Sequence, residues 1–98
     1  MARMRRYSDK PFGPTVVTLM DEAGLTYRGL AAKAGLSAGY LNHITHGNRP
    51  VPANGVIERL ADALGVEPEH FLEYRLRVIT ERLEQMPDLV DRLYKRLG

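Results

Sequence analysis

Cysteine and tryptophan are absent from the 98 residues. Without cysteine there is no disulfide framework, no thiolate zinc site and no cysteine nucleophile. Long hydrophobic runs are missing too. Val16–Val17 and Leu19–Met20 are split by Thr18, far short of the roughly 20 apolar residues a membrane span needs. No signal-peptide core follows Arg3, Arg5 and Arg6, so the expected location is the cytoplasm. Alternating polar and apolar residues, the mark of a strand, are not found. Nor is a phosphate-binding glycine loop or a zinc-hydrolase motif. His43 and His46 stand three apart on one helix face, but no third ligand completes a metal site. Ser37 has no base beside it in sequence. No enzyme activity and no cofactor are expected.

What is present is a short, mixed chain. Hydrophobic residues make up 44% and charged residues 27%, which suits one small globular domain. The net charge of +2 conceals an asymmetry. Residues 1–49 carry seven Lys/Arg against three acids, and residues 50–98 carry seven against nine. A basic front half points toward a polyanion.

Periodicity and punctuation place the helices. Residues 1–13 read as a flexible basic arm. Pro14 suits a helix's first turn, and Val16, Leu19, Met20 and Ala23 give one apolar face ending at Gly24. Thr26 reads as an N-cap for a short helix with Leu30, Ala31 and Ala34 on its buried face and Gly35 as its stop. Ser37 caps a third helix, whose buried face is Tyr40, Leu41 and Ile44 and which Gly47 closes. Asn48-Arg49-Pro50-Val51-Pro52 is a loop. Val56, Ile57, Leu60, Ala61 and Leu64 form a fourth helix. Pro68 opens a fifth, and Pro87 kinks the remainder or starts a sixth. The expected class is all-α: a compact five-helix domain over residues 14–74 with a helical extension over 75–98.

Residues 26–49 carry the functional signal. A small residue, Ala31, lies inside the first short helix, where a second can cross closely. Gly35 follows at the turn, and Leu41 and Ile44 anchor the second helix from below. A second helix held this way can enter the major groove of DNA. The stretch Leu25–Ser37, the continuation Ala38–Arg49 and the block Ile57–Val66 together resemble the Cro/repressor-type (xenobiotic-response-element-like) helix-turn-helix family over about residues 14–72. That resemblance implies a dimeric transcriptional regulator binding a two-fold symmetric operator in double-stranded DNA, with the helix that starts after Ser37 as the recognition helix.

Three positions depart from the family pattern. Tyr27 stands where a glutamine often touches phosphate, and its hydroxyl can still donate there. Ala38 and Gly39 stand where long polar side chains often read bases. Alanine offers a methyl and glycine only close backbone approach, so direct readout leans on Asn42 and His43 and extends to His46. DNA shape then contributes more than usual. Backbone phosphates are assigned to Thr26, Tyr27, Arg28, Lys33, Ser37, Tyr40, Asn48 and Arg49, although Arg28 and Lys33 also read as ordinary solvent-facing charges. Arg3, Arg5 and Arg6 would reach a minor groove, or form a solvated tail.

The C-terminal stripe is longer than a 60-residue core needs. Part of it is expected to fold back onto the first helix. Leu76, Ile79, Leu83, Met86, Leu89, Val90, Leu93 and Leu97 are expected to pair with a second chain, with a self-satisfied hairpin around Pro87 as the alternative. The leading reading is therefore a homodimeric, sequence-specific regulator, a repressor more readily than an activator, because a small dimer excludes polymerase by occupying a site. Two other readings remain. One is an antitoxin-like module whose C-terminal helices hold a protein partner. The other is an architectural DNA-binding protein of low specificity.

Overall fold

A computed structural model describes residues 7–98. The described residues form six α-helices and no strand: α1 (Phe12–Ala23), α2 (Tyr27–Ala34), α3 (Ala38–Thr45), α4 (Asn54–Leu64), α5 (Leu72–Glu84) and α6 (Pro87–Leu97), with a 3-10 turn at Pro68–His70 before α5. The all-helical expectation holds. α2 packs against α3 and α4, and α1 against the same two helices.

The local signals that set these boundaries act within one turn. The Thr26 hydroxyl accepts the Gly29 N–H at 3.0 Å and the Ser37 hydroxyl accepts the Tyr40 N–H at 3.1 Å, so each helix start has one of its orphan donors satisfied. Gly35 ends α2 at φ +72°, a backbone that disfavours any side chain, and its N–H and that of Leu36 close onto Ala32 and Ala31 carbonyls. This turn sets the angle between α2 and α3.

The core is Phe12, Val16, Met20, Leu30, Ala31, Ala34, Leu41, Ile44, Ile57, Leu60, Ala61 and Phe71. Two of these alter the boundaries read from sequence. Phe12 is fully buried, so α1 begins two residues before Pro14 and the folded unit starts ahead of the proline. Its ring lies 5.3 Å from that of Phe71, which closes the bottom of the domain just before α5. Gly13 follows Phe12 in α1. A Cβ there would collide with the Thr45 carbonyl, so glycine is what lets α1 lie directly on the end of α3.

Part of the stretch assigned to a flexible arm is held. The Ser8 N–H donates to the His70 carbonyl at 2.9 Å, and the Ser8 and Thr15 hydroxyls share a 2.7 Å hydrogen bond. The Arg75 guanidinium lies 4.9 Å from the centroid of the Tyr7 ring and donates to the Ser8 carbonyl at 2.9 Å. Residues 1–6, with Arg3, Arg5 and Arg6, lie outside the described residues.

α5 is the largest departure from expectation. Its apolar stripe does not fold back onto α1. At roughly 100° per residue, Tyr74 and Arg77 share one face, Ile79 and Leu83 lie on the far side, and Leu76 stands at the border beside Glu73. The polar face docks. Glu73 Oε2 accepts the Phe12 N–H at 3.0 Å, the Tyr74 hydroxyl donates to Glu58 at 3.1 Å, and Arg77 bonds to residues 51–54. The Glu58 carboxylate beside Tyr74 holds its phenol above the ordinary value, so it is a proton donor at any physiological pH. The apolar face points away from the domain, and so does that of α6. Leu76, Ile79, Met86, Val90 and Leu93 are 40–53% exposed and Leu97 is 88% exposed, while Leu83 and Leu89 are half-buried. The α5–α6 pair therefore does not satisfy itself as a closed hairpin.

Candidate nucleic-acid interface

α3 has eight residues, and its two faces separate cleanly. Leu41, Ile44 and Thr45 are buried. On a helical wheel Gly39, Asn42, His43 and His46 cluster on the opposite side, and all four are exposed. Ala38 and Tyr40 sit at the two borders and are half-buried. The helix is thus clamped from below by the core and offers one narrow polar strip outward, which is the geometry a groove-reading helix needs.

Gly39 is central in that strip. A Cβ there would meet nothing within 4 Å, and its φ is not positive. Nothing in the fold requires glycine at this point, although glycine inside a helix costs about 0.5–1 kcal/mol relative to alanine.

The other residues the sequence singled out stand at the starts of α2 and α3, on α2, and in the loop after α3. Thr26, Arg28, Lys33, Ser37, Asn48 and Arg49 are exposed. The Thr26 and Ser37 oxygens accept from their own helices, which leaves each hydroxyl hydrogen for an outside acceptor. The first backbone N–H groups of α2 and α3 sit beside them, where a helix start favours negative charge.

Two assigned residues carry structural duties that sequence reading missed. The Tyr27 hydroxyl accepts from the Thr45 hydroxyl at 3.2 Å, tying the start of α2 to the end of α3. Its ring lies 6.1 Å from that of His46. His46 caps the end of α3. Its Nδ1 donates to the Asn42 carbonyl at 2.8 Å, since a carbonyl can only accept. That bond leaves Nε2 as the one ring nitrogen free of its own helix end, so His46 is the most constrained of the three polar side chains on the strip. No spacing signal in the sequence marks either contact: the Tyr27–Thr45 bond depends on how α2 crosses α3, and the His46–Asn42 bond on how the chain leaves α3.

Comparison with known proteins agrees with this geometry. A profile for a helix-turn-helix domain matches residues 12–73, which starts at the buried Phe12 and ends just after Phe71. The HTH-type transcriptional repressor RghR of Bacillus subtilis (strain 168) is 37% identical over 70 residues, a match covering 71% of this chain and 51% of that protein. The chain spans about half the length of that relative. A chain of the SinR protein/SinI protein complex superposes with a TM-score of 0.59 at 19% identity, covering 86% of this chain and 95% of that one, a likeness of fold. The buried seam, the capped turn at Gly35 and the profile match agree: the chain belongs to the helix-turn-helix family of the Cro/repressor type.

Proposed function

We propose that the protein is a transcriptional repressor that binds a palindromic operator as a homodimer, in the cytoplasm. The observation that carries this reading is the exposed strip Gly39-Asn42-His43-His46, set on a helix whose opposite face is locked into the core. In this reading Asn42 and His43 make the main base contacts, Ala38 offers its methyl, and His46 contributes through its remaining nitrogen. Thr26, Tyr27, Arg28, Lys33, Ser37, Tyr40, Asn48 and Arg49 hold the phosphates on either side. Arg3, Arg5 and Arg6 follow an adjacent minor groove.

The outward face of α5 and α6 supports the dimer. Leu76, Ile79, Leu83, Met86, Val90, Leu93 and Leu97 recur at alternating steps of three and four, the spacing of a seam that packs against another helix. A second copy suits it. Asp88 opens α6 while Lys95 and Arg96 close it, so antiparallel pairing sets the acidic start of one helix at the level of the basic end of the other. A second reading, in which a different protein covers this seam, draws on the fold neighbour, which was solved as a complex of SinR with SinI.

Alanine substitution distinguishes the two classes of DNA contact. Asn42→Ala is expected to cost about 1–3 kcal/mol and to relax preference at particular base positions. Arg49→Ala is expected to weaken all sequences alike and to lower the salt slope by about one. Equal loss on every sequence from Asn42→Ala would remove α3 as the reader.

Gly39→Ala makes a second test. It is expected to raise folding stability by about 0.5–1 kcal/mol in a thermal melt and to weaken operator binding, because the added methyl stands where the helix meets the base edges. Unchanged binding would mean that the α3 backbone does not approach the groove floor.

A further inference from the structure

The polar, inward face of α5 reaches the loop that follows α3, and one side chain makes three hydrogen bonds there. Arg77 Nη1 donates to the Pro52 carbonyl at 2.6 Å and to Asn54 Oδ1 at 2.9 Å, and its Nη2 donates to the Val51 carbonyl at 3.2 Å. The loop contains Pro50 and Pro52, which have no N–H to offer a ladder. It also bears Asn48 and Arg49, both exposed. A half-buried guanidinium bonded to three acceptors is a charge-assisted, planar anchor. It fixes the chain two residues after Arg49. One turn before Arg77, Glu73 holds the Phe12 N–H, and the adjacent Gly13 lies on the carbonyl of Thr45 at the end of α3. α5 therefore grips this corner of the domain from two sides.

We infer that Arg77 is a positioning residue for DNA binding: it touches no DNA and sets the place of the Asn48–Arg49 backbone contacts by holding residues 51–54. This rests on the reading of the loop as DNA-facing. It also gives the seam a route to the DNA side, because the exposed Ile79 lies on the opposite face of the same helix from Arg77. A second copy packed on that face steadies α5 and, through Arg77, the loop.

A double-mutant cycle tests it. Wild type, Arg49→Ala, Arg77→Ala and the double variant are titrated with a duplex selected from a random library, at several salt concentrations, with thermal melts of each. Arg77→Ala is expected to weaken binding by roughly fivefold to tenfold and to lower the salt slope by about one, as Arg49→Ala does. The second substitution is then expected to add little to the first, since coupled residues are not additive. Arg77→Lys keeps the charge but cannot span three acceptors, so it is expected to fall between wild type and Arg77→Ala. It replaces Arg77→Ala in the cycle if that variant melts too early to titrate. Additive losses, or unchanged binding on removing Arg77, would overturn the inference and leave the DNA-binding reading standing. Wild type that binds no duplex at low salt would overturn both.

Discussion

The double variant Val90→Asp/Leu93→Asp is expected to be monomeric and to bind the operator more weakly by a factor on the order of 10²–10⁴. Both positions are exposed on α6 and contribute nothing to the buried core, so the helix-turn-helix unit keeps its fold and each α3 keeps its own contacts. What disappears is the linkage. In a dimer the second half-site is reached intramolecularly, at an effective concentration set by the rigid span between the two domains, whereas a monomer must find each half-site separately. Two buried carboxylates at the centre of the seam are also among the most costly substitutions available to an apolar interface. Sedimentation would report the mass and a titration on the same duplex the affinity. A monomer that retains full operator affinity would show that pairing through α6 is irrelevant to binding. A variant that stays dimeric would place the interface elsewhere. Loss of a different bound protein with DNA binding intact would favour the partner reading.

Phe71→Ala is expected to have the largest effect on folding. The ring is fully buried, stacked at a tilt against Phe12 and met edge-on by His70 at 5.8 Å. Removing such a ring from a packed core costs about 3–5 kcal/mol, out of a total of about 5–15 kcal/mol for a domain of ordinary stability. The melting temperature should fall by about 12 °C or more, since 1 kcal/mol corresponds to about 4–8 °C at this size. Phe71 also occupies the N-cap position of α5. Its loss frees α5 from the base of α1, and the Glu73–Phe12 bond should go with it. Leu97→Ala, on the open face of α6, is expected to stay within about 0.5 kcal/mol of wild type. Comparable destabilisation by the two substitutions would contradict the division of the chain into a buried unit and an outward seam.

The parts of this fold legible in sequence are those decided within a turn or two of chain. Thr26, Ser37, Gly24 and Gly35 mark helix ends through bonds spanning three to five residues, and each stands where the sequence put it. Leu30, Ala31, Leu41, Ile44, Ile57 and Leu60 are spaced at helical intervals and are buried. Phe12 escaped because no periodic partner precedes it and Pro14 offers a plausible helix start. Its burial is decided by Phe71, far along the chain. The orientation of α5 was hidden for a related reason. Glu73, Arg75 and Arg77 look like solvated charges until their partners are known, and those partners are mostly backbone carbonyls and an N–H group in loops and helix starts. An apolar stripe ordinarily seeks its own core. Here the polar face docks and the stripe is left facing outward, an inversion that composition and period alone do not reveal. At the candidate interface the exposed strip of α3 followed from its period, whereas the Tyr27–Thr45 and His46–Asn42 bonds depend on the crossing of α2 and α3 and on the way the chain leaves α3.

The most direct measurement is selection of bound duplexes from a random library, with the winners titrated at two salt concentrations. A dimeric repressor reading bases through Asn42 and His43 should recover a palindrome whose half-sites lie one helical turn, about 34 Å, apart, with affinity that falls as salt rises. Binding with no shared motif and a steep salt slope would contradict sequence-specific recognition and favour an architectural role, and no binding at low salt would contradict the DNA-binding account altogether.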